Sequence, residues 1–498
     1  MKLKKLFENV TGICEPEEGF PEKEIGDICY NSCKAKRNSV FVCLRGSLSD
    51  GHRYAAEAYE KGCRFFVAEM PLPELPDDAQ VFLCPDSRLA LAEMSANLFG
   101  HPSDELTVIG ITGTKGKTTT ALLICHILNA AGLPCGYIGS NGIEYGNFHC
   151  DTPNTTPESY TLQMYMRHMV LGGVKYLVME VSSQALYRHR VKGIRFDTCV
   201  FTNLSVDHIG KHEHPDFEHY KACKKSLFSD YGAKEVILNA DDGYVSEFRE
   251  QIPAGTRIRE FAIEREADFR ASEISLYRRN DSLGVNFSFV SDDGKKRAAS
   301  IPFPGNFSVY NALAAIAVCR RFGIDADEIV RQLADIRIAG RFEIVKALPY
   351  ATFLIDYAHN KVSLAAALST LRLYQPEHLI CLFGSVGGRT FGRRAELGEV
   401  AARLADFVIL TSDNPDGEDP KKILDEIAEQ FTETSCPYRI IPDRAEAIRY
   451  AVAIAGEGDI ILLAGKGHEN YQLVCGQKLP FSEKKILQRE SAKRLALR

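Results

Sequence analysis

The chain has 498 residues and a formal net charge of −6, which predicts two to four domains and excludes the basic footprint of a nucleic-acid binder. Its 15 cysteines are scattered with no Cys-x-x-Cys pair, which excludes a zinc-finger or disulfide framework and fits a reducing cytoplasm. No run approaches the roughly 18 apolar residues of a membrane span, and Met1-Lys-Leu-Lys-Lys-Leu-Phe-Glu8 lacks a signal-peptide core, so a cytosolic protein without a membrane partner is expected.

Residues 1–102 predict a small α/β unit, with strands at Val40–Leu44, Arg64–Glu69 and Val81–Cys84 and a helix over Leu89–Phe99. The turn Gly100-His-Pro-Ser-Asp104 reads as a linker. From about 103 to 338, strands and helices alternate, which predicts a mostly parallel sheet. Its strands are drawn at Leu106–Thr112, Tyr176–Val181, Thr198–Thr202 and Glu235–Asn239, with a polar antiparallel excursion over 265–300 and a helix around Asn311. The alternation restarts across 339–498, with strands at Thr352–Ile355, Leu379–Phe383, Phe407–Leu410 and Ile460–Ala464. The expected fold is α/β with three domains, the central one a P-loop parallel-sheet ATPase unit and the last Rossmann-like.

The informative stretch is Gly113-Thr-Lys-Gly-Lys-Thr-Thr119, set between an apolar β-branched run and a helix with Ala121, Ile124, Cys125 and Leu128 on one face. Strand, glycine turn, Gly-Lys-Thr and helix can hold a triphosphate. Backbone N–H groups approach the phosphate oxygens, Lys117 supplies charge, and Thr118 has the hydroxyl that reaches Mg²⁺. The turn is a variant, because Ile111 stands where a glycine is usual and Gly110 falls one residue early. Polar clusters follow other strands too, at Glu180-Val-Ser-Ser183 and from Asn203 to His208, where ligands of such sheets gather.

Several motifs taken together resemble the Mur ligases, and within that family the branch adding the third peptide residue of the peptidoglycan precursor. They are Tyr30-Asn-Ser-Cys33, Asp50-Gly-His52, Gly113–Thr119, Asn154-Thr-Thr-Pro157, Met179-Glu-Val-Ser-Ser-Gln-Ala-Leu186 and Thr202-Asn-Leu-Ser-Val-Asp-His208. Gly340-Arg-Phe-Glu343, Asp356-Tyr-Ala-His359, Asp413-Asn-Pro415 and Gly465-Lys-Gly-His-Glu469 continue them.

The resemblance implies an ATP- and Mg²⁺-dependent amide ligase acting through an acyl phosphate on UDP-N-acetylmuramoyl-L-alanyl-D-glutamate, and a monomer with small-molecule partners only. Residues 1–102 would hold the UDP-sugar, 103–338 ATP and 339–498 the amino acid. It implies ATP contacts at Gly113, Thr114, Lys115, Gly116, Lys117, Thr118, Thr119, Asn311, Arg341 and Asp356. Metal would meet Thr118, Glu180, His208 and Lys224, the last as a carbamate. Ser32, Asn154, Thr155, Thr156, Ser182, Ser183 and Arg190 would hold the UDP-sugar peptide. Arg389, Asp413, Asn414, Asp416, Gly465 and Glu469 would face the amino acid. From the residues alone, Glu180 reads equally as a solvated strand-end glutamate, and Lys224 as a solvated helix lysine.

The chain departs from the family pattern at Asp416, where enzymes using meso-diaminopimelate carry an arginine that clamps the distal carboxylate. An aspartate repels that carboxylate and attracts an ammonium, so L-lysine is the expected acceptor, L-ornithine next, with meso-diaminopimelate as the competing reading. Asn360-Lys361 replaces the usual Thr-Pro, Arg188 replaces a neutral side chain, and Gly384–Thr390 is an unusual form of its loop. A paralogue with another precursor, a folylpolyglutamate-type ligase and a non-ligase nucleotide switch are the alternatives.

Overall fold

A computed structural model describes all residues except 15, 17–18, 47–48, 211–212, 280–281, 389–391, 433 and 497–498. The chain forms two compact units, residues 1–270 with 313–326, and residues 271–312 with 327–498.

The first unit contains two sheets. The smaller is parallel, in the order β1 (Asp27–Cys29), β2 (Ser39–Val42), β3 (Phe65–Ala68) and β4 (Gln80–Leu83). Alternation along β2 sends Val40 and Val42 to a core with Leu91 and Met94, and Phe41 to one with Ala55 and Ala58. Helices α1 (Leu3–Leu6), α2 (Ala55–Glu60) and α3 (Ser87–Phe99) accompany it. Asp86 caps α3 by accepting the Arg88 and Leu89 N–H groups, and Gly100 ends it at φ 68°.

The larger sheet is built around β5 (Thr107–Thr112), which pairs in parallel with β9 (Tyr176–Glu180) on one side and β10 (Thr198–Phe201) on the other. It extends through β6 (Cys135–Gly139), β7 (Gly142–Tyr145) and β8 (Phe148–Cys150) at one edge. At the other it continues through β11 (Glu235–Asn239) and β12 (Arg257–Ala262) to the start of β13 (Phe269–Arg279). The antiparallel β6–β7–β8 ribbon and β12 lie outside the strands drawn from sequence. Helices α4 (Lys117–Ala130), α5 (Ser159–Leu171), α6 (Ser183–Tyr187) and α7 (Phe217–Ser229) follow strands or their loops. The early glycine of the variant turn has a packing role. A Cβ on Gly110 would lie 2.6 Å from a ring carbon of Phe196.

In the second unit, β14 (Ser282–Val290) and β15 (Lys296–Ile301) pair antiparallel, matching the expected excursion. A second sheet runs β16 (Glu343–Val345), β17 (Thr352–Asp356), β21 (Ile460–Ala464), β18 (Leu379–Phe383), β19 (Phe407–Leu410) and β20 (Tyr438–Ile440), parallel from β17 onward. Both faces are covered. Leu354, Leu462 and Cys381 point into one core, and Phe353, Ile461 and Leu382 into the other. A hairpin, β22 (Tyr471–Val474) with β23 (Gln477–Pro480), follows β21. Asn360, one of the departures from the family pattern, caps the helix Lys361–Arg372 in a capping box with Ser363.

Candidate active site

The turn after β5 depends on two glycines. Gly113 has φ 150° and a Cβ there would sit 2.0 Å from Thr202 Oγ1; Gly116 has φ 83° and immediately precedes α4. Asn203 clamps the turn, accepting the Lys115 N–H at 2.9 Å and donating its amide to the Lys115 carbonyl at 2.9 Å. Thr114 donates its N–H to the Asn203 carbonyl, and its hydroxyl lies 3.1 Å from the Tyr220 hydroxyl. Lys115 pairs with Asp207 at 3.0 Å. Lys117 curls back, donating to the carbonyls of Gly113 at 2.8 Å and Thr114 at 3.0 Å. Thr119 is half-buried on the first turn of α4.

Glu180 ends β9 fully buried, so it is not a solvated strand-end residue. Thr118 Oγ1 donates to its Oε2 at 3.0 Å, while its Oε1 accepts the Tyr137 hydroxyl at 2.6 Å and the Ser140 N–H at 2.9 Å. Gly139 makes this possible, since a Cβ there would stand 2.3 Å from Glu180 Oε1. A hydroxyl and a carboxylate at the base of a glycine turn form a hard, oxygen-only donor set that fits Mg²⁺. Tyr137 and Ser140 escaped the sequence reading. Their only signal was the Gly139-Ser-Asn-Gly142 turn.

Lys224 is buried on α7 rather than solvated, and it donates to the Gly113 carbonyl at 2.8 Å. Burial, and then the Lys117 cation, hold its ammonium well below the ordinary lysine value. His208 is exposed at φ 57°, with Nδ1 3.1 Å from Glu213 Oε1.

Thr156 gathers part of the expected substrate set. Its hydroxyl donates to the Glu180 carbonyl at 2.8 Å and lies 3.2 Å from Ser182 Oγ, and its carbonyl accepts from Arg190 at 3.1 Å. Thr155 meets Ser140 at 3.0 Å, and Ser183 Oγ lies 2.8 Å from His214 Nε2. Asn154 is exposed, its carbonyl accepting from Thr152. Ser32 lies apart from these contacts, buried and donating to Glu57 at 2.8 Å.

In the second unit, Asp356 ends β17 buried, accepting the N–H groups of Phe342 at 2.8 Å and Ala358 at 2.9 Å. Burial pushes its carboxyl up, opposed by Arg341, whose guanidinium lies 5.3 Å from the Tyr357 ring centre. Asn311 is buried on the helix Asn306–Arg321.

A second polar group forms after β19 and β21. Lys466, fully buried and not singled out in the sequence, donates to Asn414 Oδ1 at 3.0 Å and Glu469 Oε2 at 3.1 Å, with Asp413 at 3.8 Å. Asn414 also donates to Glu469 at 2.9 Å. A Cβ on Gly465 would come within 2.6 Å of Asp413 Oδ2. Asp416 has φ 52° and accepts the Gly476 N–H at 2.7 Å. Arg389 lies outside the described residues. Among the described residues, no helix is long and apolar enough to cross a membrane.

Residues 111–319 match the Mur ligase middle domain, and residues 340–467 the Mur ligase glutamate ligase domain. A relative from Caldanaerobacter subterraneus, named UDP-N-acetylmuramoyl-L-alanyl-D-glutamate--2,6-diaminopimelate ligase, is 39% identical over 483 residues, covering 97% of this chain and 98% of its own. A Clostridium perfringens protein of the same name is 37% identical over 493 residues, 98% of this chain and 99% of its own. A solved structure of a ligase with that name superposes with a TM-score of 0.70 at 27% identity, covering 99% of both chains.

Proposed function

This chain belongs to the Mur ligase family and is an ATP-dependent ligase; from that premise we propose that it joins a diamino acid to UDP-N-acetylmuramoyl-L-alanyl-D-glutamate. The observation that supports this most directly is the buried Thr118–Glu180 pair, 3.0 Å apart at the foot of the glycine turn that carries Lys117.

A carboxylate is a poor electrophile. Transfer of the γ-phosphoryl group of ATP to a substrate carboxylate oxygen gives ADP and an acyl phosphate. The amine then attacks the acyl carbon, an amide forms, phosphate departs with that carboxylate oxygen, and the nitrogen loses a proton. Bound Mg²⁺ neutralises phosphate charge during the transfer. In this reading, the turn Gly113–Thr119 orients the phosphates with its N–H groups and Lys117. Thr118 and Glu180 would hold the metal through oxygen, joined by His208 through a ring nitrogen and by Lys224 through oxygen once it is a carbamate. Asn311, Arg341 and Asp356 serve the rest of ATP. Ser32, Asn154, Thr155, Thr156, Ser182, Ser183 and Arg190 serve the UDP-sugar peptide, and Asp413, Asn414, Asp416, Gly465 and Glu469 the amino acid. The three functional divisions are 1–102, 103–338 and 339–498, in a cytoplasmic monomer.

The relatives' names favour diaminopimelate as acceptor and lend no support to the L-lysine preference read from Asp416. That carboxylate is partly engaged by the Gly476 N–H, which weakens the electrostatic argument for lysine. L-Lysine remains the second reading, on the negative charge of Asp416. Product mass after reaction of the purified protein with Mg·ATP, the UDP-sugar dipeptide and each of meso-diaminopimelate, L-lysine and L-ornithine decides between them. A product with lysine alone contradicts the first reading, and no product with any amine contradicts both.

A further inference from the structure

Helix α7 carries His219 and Cys223 four residues apart, hence on one face, and the segment before it brings His214 against them. The three prospective ligand atoms lie within 4.8 Å of one another. His214 Nδ1 and His219 Nδ1 are 2.8 Å apart, and His219 Nδ1 and Cys223 Sγ 3.7 Å. The second spacing is near the separation of nitrogen and sulfur on one tetrahedral zinc, given bonds of about 2.0–2.1 Å and about 2.3 Å. The first must open by roughly half an ångström, replacing a ring–ring hydrogen bond with two metal bonds. The far nitrogen of His214 is already oriented, with Nε2 2.8 Å from Ser183 Oγ, the arrangement that fixes the tautomer of a ligating histidine. Tyr187 packs edge-on against His219 at 4.8 Å, and Tyr220 against His214 at 5.3 Å. These rings give the cluster a defined wall.

We propose that His214 Nδ1, His219 Nδ1 and Cys223 Sγ bind one zinc-class divalent ion, with a fourth position open to water or an added ligand. Two imidazoles and a thiolate select such an ion over Mg²⁺, which prefers oxygen. Binding replaces the Cys223 S–H bond with a sulfur–metal bond and releases that proton to solvent. His219 keeps its own proton by moving it to Nε2.

The test uses the full chain, freed of metal by a chelator that is then removed, and titrated with Co²⁺ as a spectroscopic probe and with Zn²⁺. The expected result is a thiolate-to-cobalt charge-transfer band saturating at one equivalent, unaffected by excess Mg²⁺ and abolished by Zn²⁺. Cys223→Ser removes the band, and His219→Ala weakens cobalt binding at least tenfold. Zn²⁺ raises the melting temperature of the parent but of neither variant, both of which still show cooperative melting. A band that survives in Cys223→Ser, or no band in the parent, overturns the proposal. Because the readout does not involve ligase activity, failure of the proposed reaction leaves this test intact.

Discussion

Lys117 and Lys224 converge on one oxygen, each donating to the carbonyl of Gly113 at 2.8 Å. Two ammonium groups drawn to one oxygen repel, and burial, followed by the Lys117 cation, holds the Lys224 ammonium well below the ordinary lysine value. A neutral buried amine is the form that reacts with CO₂.

Lys224 is therefore expected to incorporate ¹³C from labelled bicarbonate as a carbamate, seen by NMR, with the label increasing as pH rises. Lys224→Arg, permanently cationic, should show no label and lose ligase turnover by about 10²–10³-fold, the scale set by loss of one charged transition-state contact. In bicarbonate-free buffer the sign of the stability effect is fixed. The unfolded amine titrates near 10.5 and the folded one lower, so between those values the unfolded chain holds the extra proton. Stability from this group thus rises with pH through that window, and the burial penalty is complete below the folded value. Lys224→Met should flatten the profile in chemical denaturation.

Glu180→Gln keeps the size of the side chain that meets Thr118, Tyr137 and Ser140 but removes its charge. Turnover should fall by about 10²-fold or more, and the Mg²⁺ concentration for half-maximal rate should rise. Unchanged magnesium dependence would remove Glu180 from the metal.

Gly139→Ala drives a methyl against Tyr137 and Glu180, to 2.2 Å and 2.3 Å. The expected loss is about 1–3 kcal/mol in denaturant unfolding, with weakened nucleotide binding because Glu180 must move.

Lys466→Met leaves the Glu469 carboxylate and the Asn414 carbonyl oxygen without their cation. Breaking such a buried pair from one side is expected to destabilise by about 3–5 kcal/mol. The double variant with Glu469→Gln should recover part of that loss.

Asp416→Arg tests acceptor choice. If residue 416 reads the distal end of the amino acid, the ratio of kcat/KM for diaminopimelate to that for lysine should rise at least tenfold. The left-handed backbone at φ 52° and loss of the Gly476 contact add a modest stability cost, about 1 kcal/mol.

The strands of both sheets were legible because their sequences are short, mostly apolar runs; β11, β18, β19 and β21 fall at the limits read from sequence. The ribbon β6–β8 was not, since Cys135–Cys150 is rich in glycine and short in alternation. Lys117, Thr118 and Glu180 could be marked as candidates because they sit at fixed offsets from glycines and strand ends. Tyr137 reaches Glu180 across the sheet, from the strand beside β9, and no local spacing encodes that meeting. The burial of Lys224 was likewise invisible. A lysine in the run Lys221-Ala-Cys-Lys-Lys225 looks solvated until α7 is turned toward Gly113. Gly110 misled the spacing of the turn because its lack of a side chain serves Phe196.

In the proposed reaction, ATP activates a substrate carboxylate for attack by an amine. The most direct measurement supplies UDP-N-acetylmuramoyl-L-alanyl-D-glutamate labelled with ¹⁸O in its glutamate carboxylates, with Mg·ATP and diaminopimelate, and reads the mass of the phosphate and the amide product. The expected result is one ¹⁸O in each released phosphate, one fewer in the product than in the substrate, and release only when both carboxylate and amine are present. Phosphate carrying no label, or released equally without the amine and dipeptide, would contradict it.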